Sequence, residues 1–147
     1  MWHILTACQT RKGYQVQYIF LFYSYIQEMS ATTPTPLSAT LRVGVVGCGQ
    51  IVEHHVTAML PHIRSGRIIV HVLVDPRAAR MNAIRMLLSV DQEERPIEMS
   101  SLPELLAATP PPVDAVLIAV PHDLHEEVAT LALRAGLHVL CEKPQRK

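Results

Sequence analysis

Two glycines bracket a cysteine in the run Val43-Gly-Val-Val-Gly47-Cys-Gly49-Gln-Ile51, directly behind small β-branched residues. An amphipathic pattern starts at once after them. Strand, tight turn and helix N-terminus in this order can do one kind of chemistry well, which is to hold a phosphate anion. The first amides of a helix have no intrahelical acceptor and carry the positive end of its dipole. Gly47 lets the chain turn sharply, and Gly49 presents no side chain to keep a pyrophosphate from the backbone. Asp75 closes the next apolar run. A carboxylate at that strand tip can accept hydrogen bonds from ribose hydroxyls, the second half of a dinucleotide-binding fingerprint. Asp75 also precedes Pro76, so capping of the following helix is the competing role.

Other chemistry-bearing residues are less specific. Arg77 could meet a ribose 2′-phosphate, but the carboxylate of Asp75 would repel that group, so NAD is preferred over NADP. The cluster His122-Asp-Leu-His125-Glu-Glu has a metal-like look. Catalytic zinc usually needs three protein ligands in closed geometry, and the acids fit a helix N-terminus, so a cofactor-edge or capping role is expected and no metal. Cys48 sits where a helix N-terminus would activate a thiol, against the simpler reading of a small residue filling a turn. His54, His62 and His71 read as surface or packing residues.

These residues need a frame, and the chain spells one. Strands are expected at 41–46, 68–74, 97–99, 115–120 and 138–141. Helices are expected at 50–65, 76–90, from Ser101 to about residue 108, and at 122–135. The apolar stripes are Val52, Val56, Met59, Leu60 and Ile63; then Met81, Ile84, Leu87 and Leu88; then Leu124, Val128, Leu131 and Ala135. Ser101 to Glu104 has capping-box spacing, and Gly136 is a helix stop. The strands are apolar on both faces, as buried parallel strands are. Alternating β and α units with short links argue an α/β fold, a Rossmann-type doubly wound parallel sheet. The pattern breaks off after the fifth strand, which reads as truncation.

The 147 residues suffice for one ordinary domain, and a hydrophobic content of 49% supports a core. Thirteen basic and thirteen acidic side chains cancel, so neither nucleic acid nor anionic membrane is an expected partner. Three cysteines make no disulfide framework. Cys48 and Cys141 would follow strands two spacings apart, roughly 9–10 Å and too far to bridge. Reduced thiols and a cytoplasmic location are expected.

Residues 1–40 read as a leader outside the domain at 41–147. All seven Phe, Tyr and Trp residues, Trp2 to Tyr25, precede Met29. Met29 as the true start, a secretory signal and a mitochondrial presequence remain open readings of residues 1–28. The apolar stretch at 18–26 is too short to span a bilayer.

Gly47-Cys-Gly49-Gln-Ile51, His55, Ala58, Asp75-Pro76, Pro121 with His125, and Ala135-Gly136-Leu-His138-Val139-Leu-Cys-Glu142-Lys143-Pro144 together resemble one family. It is the glucose–fructose oxidoreductase, inositol dehydrogenase and MocA-like (Gfo/Idh/MocA) family, and the likeness spans residues 41–144. The glycine loop is widespread, whereas the ending in Glu-Lys-Pro is specific. The resemblance implies an oxidoreductase that moves hydride between NAD(P) and a sugar, polyol or related carbonyl compound. It implies a catalytic position for Lys143, near nicotinamide and substrate. Cofactor contacts would fall on Gly47, Gly49, Gln50, Ile51, Asp75, Pro121, His125, Glu142 and Pro144, with Pro144 shaping the turn beneath the ring. Two departures stand out. Val52 replaces the usual Gly or Ala and predicts looser packing of the first helix. The family's substrate domain is absent, so the chain alone is expected to be inactive, to meet a small-molecule substrate only if a second domain exists, and to self-associate through its open sheet edge. A non-catalytic dinucleotide-binding module or a nonfunctional fragment is the alternative.

Overall fold

The computed structural model describes residues 40–142. The readings of residues 1–39, and of Lys143 and Pro144, lie outside the described residues. Five strands form one parallel sheet: β1 (Leu41–Val46), β2 (Ile68–Val74), β3 (Ile97–Met99), β4 (Ala115–Ile118) and β5 (His138–Cys141). Their order is β3-β2-β1-β4-β5. Four α-helices connect them: α1 (Gln50–Arg64), α2 (Ala78–Leu88), α3 (Leu102–Leu106) and α4 (His125–Arg134). Among the described residues β5 is paired on one side only, with β4.

The apolar runs account for the sheet's place at the centre. Val45, Val70, Val72, Leu73, Val116 and Ile118 are fully buried, and each such side chain contributes about 1.5–3 kcal/mol by leaving water. Helix α1 buries Val52, Val56, Met59 and Ile63, and α2 buries Met81, Ile84 and Leu88. Val52 is fully buried, so the interface under α1 accommodates the larger side chain.

Several boundaries differ from the expectation for local reasons. Helix α2 starts at Ala78, because Asp75 Oδ1 accepts the Arg77 amide at 2.8 Å and turns residues 75–77 before the helix opens. Strand β4 ends at Ile118, although the Ala119 amide still reaches Val46 O at 2.8 Å. The helix expected at 122–135 begins as a 3₁₀ turn, His122–Leu124. Leu124 is 40% exposed and outside the stripe, while Ala132, unnamed in the pattern, is fully buried. The expected capping box forms only in part. Ser101 makes no side-chain cap, and Glu104 Oε2 instead accepts both the backbone amide and hydroxyl of Ser100. Those bonds hold the Glu104 carboxyl below its ordinary pKa.

One sheet edge is finished by a side chain. β3 is short and, among the described residues, pairs only with Val72–Val74. Beyond its end Gln92 Oε1 accepts the Val70 amide, and Gln92 Nε2 donates to Val70 O, both at 2.9 Å. The same stretch of β2 carries an irregularity in its register with β1: Val43 opposes Val70, but Gly44 opposes Val72.

Candidate functional site

The carboxyl ends of β1 and β4 lie side by side. In an open α/β sheet of this order the crevice for a ligand opens there, where successive connections leave in opposite directions. Residues 47–49 form one rim. Gly47 has φ of +85°, and a Cβ built there would lie 2.6 Å from the Ala119 carbonyl oxygen. Its amide donates to Val74 O at 2.8 Å. Gly47 is therefore required by the fold, since the loop after β1 presses on the loop after β4.

Gly49 differs. It is the N-cap of α1 with φ −77° and ψ 177°, ordinary extended values, and a Cβ there would meet nothing within 4 Å. Nothing in the fold's own packing demands glycine at that position. No side chain caps α1, so its first turn keeps the donor character and dipole that suit an anion. The exposed Gln50 and half-buried Ile51 begin this turn. A cradle free of side chains and an uncapped helix end are what a pyrophosphate needs, and in this respect the residues fit a dinucleotide.

Asp75 is 4% exposed at the tip of β2. Its Oδ2 accepts the Cys48 amide at 2.9 Å and its Oδ1 accepts the Arg77 amide at 2.8 Å. The carboxylate thus braces the glycine loop and turns the chain ahead of α2, but the expected capping role is not seen: the N-cap of α2 is Arg77, and no side chain caps that helix. A carboxylate offers about four acceptor positions, which leaves capacity for a further donor. Arg77 Nε stands 4.0 Å from Oδ1 and Arg80 Nη1 stands 3.9 Å from Oδ2, both guanidinium groups largely in solvent. The sequence pattern had singled out Arg77 but not Arg80.

The Cys48 thiol is buried beside these groups. Burial, followed by the neighbouring Asp75 charge, pushes its pKa up to about 12, which overturns the idea of an activated thiol. Desolvation and the carboxylate outweigh the lowering by the Val74 backbone contact and by Arg80. Cys48 and Cys141 are both unpaired.

Across the crevice Pro121 is exposed. His125 Nε2 lies 2.7 Å from Val120 O. A carbonyl only accepts, so Nε2 carries the hydrogen and the ring ties the 119–121 loop to the first turn of α4. The His122 ring meets it edge-on with centroids 5.9 Å apart. Among the described residues no group of three His, Cys, Asp or Glu side chains could hold a metal ion. No described helix is long and apolar enough to cross a membrane.

Glu142 follows β5 directly. Its amide donates to Ile118 O at 2.8 Å, one step past the β4–β5 ladder. Its Oε2 lies 2.6 Å from Nε2 of His55, a residue of α1 that is only 9% exposed. The apolar stripe of α1 gives a hint of this contact. His55 sits between Val52 and Val56 on the buried side, where a polar ring needs a partner.

The comparisons with known proteins agree with this architecture. A family model described as an oxidoreductase family with an NAD-binding Rossmann fold matches residues 41–145. The chain is 37% identical over 108 residues to an inositol 2-dehydrogenase of Corynebacterium glutamicum, a match covering 74% of this chain and 29% of that protein. It is 36% identical over 108 residues to a D-xylose 1-dehydrogenase (NADP(+)) of Hypocrea jecorina, covering 71% and 27%. The crystal structure of the WlbA dehydrogenase from Bordetella pertussis in complex with NADH and UDP-GlcNAcA superposes with a TM-score of 0.57 at 31% identity, over 71% of this chain and 30% of that one. The chain thus spans under a third of the length of the relatives it matches.

Proposed function

The chain belongs to the Gfo/Idh/MocA family of oxidoreductases, its residues 41–145 being an NAD-binding Rossmann fold, and we propose that it forms the cofactor half of a dehydrogenase acting on a sugar, polyol or related carbonyl compound. The observation that carries this reading is the pairing of Gly49 with Asp75. An open, uncapped helix end and a strand-tip carboxylate face one loop and are joined through the Cys48 amide. Gly49, Gln50 and Ile51 would lend their backbone to the pyrophosphate, Gly47 and Asp75 would shape and brace the loop, and Asp75 would accept from the adenosine ribose. Pro121 and His125 would line the opposite rim. Glu142, Lys143 and Pro144 would close the nicotinamide end, with Lys143 beside the reacting carbon. When bound, the nicotinamide supplies or accepts the hydride.

NAD is the preferred cofactor. A 2′-phosphate would have to approach the Asp75 carboxylate, although Arg77 and Arg80 stand near enough to soften that repulsion. Hydride transfer also requires a substrate held in register with the cofactor. The matched 108 residues cover under a third of each relative, so the 147 residues by themselves are expected to bind cofactor without turnover. Among the described residues β5 is paired on one side only; such an edge invites pairing, and self-association through β5 is expected of them, which sedimentation sizing checks.

The test is a calorimetric titration of the 147-residue chain with NADH and NADPH, followed by absorbance assays over a panel of polyols and aldoses. Binding that favours NADH, with a flat nicotinamide signal, supports the proposal. Absence of NADH binding refutes it, and robust turnover refutes the need for further residues.

A further inference from the structure

We infer that Arg80 is a specificity-determining residue: with Arg77 it lets the adenosine end of the crevice accept a dinucleotide that carries a 2′-phosphate as well as one that does not. The inference rests on the cofactor reading above and names the cofactors that this site takes. Asp75 stands where a fold of this kind meets the adenosine ribose. The groups around its carboxylate therefore decide what charge the 2′ position can bear.

Two of those groups are guanidiniums. Oδ2 of Asp75 accepts the Cys48 amide at 2.9 Å, and Arg80 Nη1 stands 3.9 Å from the same oxygen. One oxygen thus links Arg80 to the residue between the two glycines. The Arg80 charge reaches that residue, where it opposes the rise in the Cys48 pKa. Arg77 Nε stands 4.0 Å from the other oxygen, Oδ1. At these separations the guanidiniums offset the carboxylate's charge without hydrogen-bonding to it, so their N–H donors are not spent on Asp75. Glu98, on the strand beside the end of β2, lies 3.3 Å from Arg85 Nε and 3.4 Å from Arg95 Nη2. That acid has two cations of its own and does not draw on Arg77 or Arg80. Two cations against the single charge of Asp75 leave a positive surplus, and a planar guanidinium recognises phosphate in a bidentate way.

Arg80 rather than Arg77 is the determinant. It lies in the first turn of α2, and its side chain is 43% exposed against 63% for Arg77. Arg77 precedes the helix with an extended backbone. The side chain on the helix, already partly confined, loses less freedom on engaging a phosphate.

The experiment is calorimetric titration of the 147-residue chain and its variants with NADH and NADPH, at low and high salt. We expect wild type to bind NADPH no more than about tenfold more weakly than NADH, and Arg80→Ala to widen that gap at least about tenfold by loss of a charge-assisted contact. Both ligands are read on the same protein, so a general loosening of the fold leaves the ratio where it was. Arg80→Lys keeps the charge but not the fork, and should widen the gap only about threefold. Salt should widen it in wild type and much less in Arg80→Ala. Where Arg80→Ala does not fold, Arg80→Gln carries the same expectation. A ratio unmoved by removal of the Arg80 guanidinium would overturn the inference. A wild-type gap beyond about tenfold, or a larger shift in Arg77→Ala than in Arg80→Ala, would overturn it as well. A wild-type chain that binds neither dinucleotide would instead overturn the cofactor reading beneath it.

Discussion

Replacing Gly49 with valine should abolish cofactor binding at little cost in stability, whereas Gly47→Ala should strike the fold itself. At Gly47 the φ of +85° costs an L-residue roughly 1–2 kcal/mol. The new Cβ would also lie 2.6 Å from Ala119 O, 2.8 Å from its carbonyl carbon and 3.0 Å from the Val120 amide. These are backbone atoms at a strand end and do not swing aside, so about 1–3 kcal/mol of overpacking adds to the backbone term. A loss of about 2–5 kcal/mol is large against a net stability of about 5–15. It should lower the melting temperature by at least about 10 °C. At Gly49 the dihedrals are ordinary and the space is empty. Only the poorer N-cap counts, roughly 1 kcal/mol or less. The isopropyl group would nevertheless stand where a pyrophosphate meets the first amides of α1, and NADH should bind at least about tenfold more weakly, about 1.4 kcal/mol. Thermal melting and calorimetry on the same three proteins decide the matter. Equal NADH affinity for wild type and Gly49→Val would refute the cradle, and an unshifted melt for Gly47→Ala would refute the close approach.

Further outcomes follow from particular contacts. Gln92→Ala should cost about 1–3 kcal/mol in urea unfolding, because the amide and carbonyl of Val70 both lose a partner; a change under about 0.5 kcal/mol would show that water replaces the side chain freely. Side-chain hydrogen bonds from Arg42 hold the Asp114 carboxyl below its ordinary pKa. A folded pKa below the unfolded value of about 3.9 means that this pair stabilises above that pH and is lost as pH falls through the folded value. Acid unfolding below about pH 4 should therefore flatten in Asp114→Asn, with no difference between pH 5 and 7. The Cys48 thiol, buried and raised to about 12, should resist alkylation at pH 8 in the native chain and react once urea is added; peptide mapping of Cys48 gives the answer. Asp75→Ala should weaken NADH and loosen the glycine loop together, since one carboxylate braces Cys48 and faces the crevice; an unchanged NADH affinity would confine Asp75 to bracing.

The order of elements was legible in the residues because it rests on local rules. Doubly apolar runs such as Ile68–Val74 can satisfy their backbone and bury both faces only as inner parallel strands, and the stripe from Val52 to Ile63 has helical spacing whatever lies around it. The glycine loop and Asp75 were readable for the same reason, since a turn and a strand tip are properties of neighbours in the chain. Element ends were less legible. Strand β4 stops at Ile118 and α2 opens at Ala78 through hydrogen bonds that a periodic pattern does not contain. Only the tertiary structure decided which glycine the fold requires. Gly47 and Gly49 look alike in sequence, yet one presses on Ala119 and the other faces open space. Tertiary packing alone also paired His55 with Glu142, Asp75 with the Cys48 amide, and Gln92 with Val70. Such contacts join residues far apart in the chain, and each involves single polar groups. A polar group leaves no periodic trace in the sequence; it is assigned its partner only when burial removes water as the alternative.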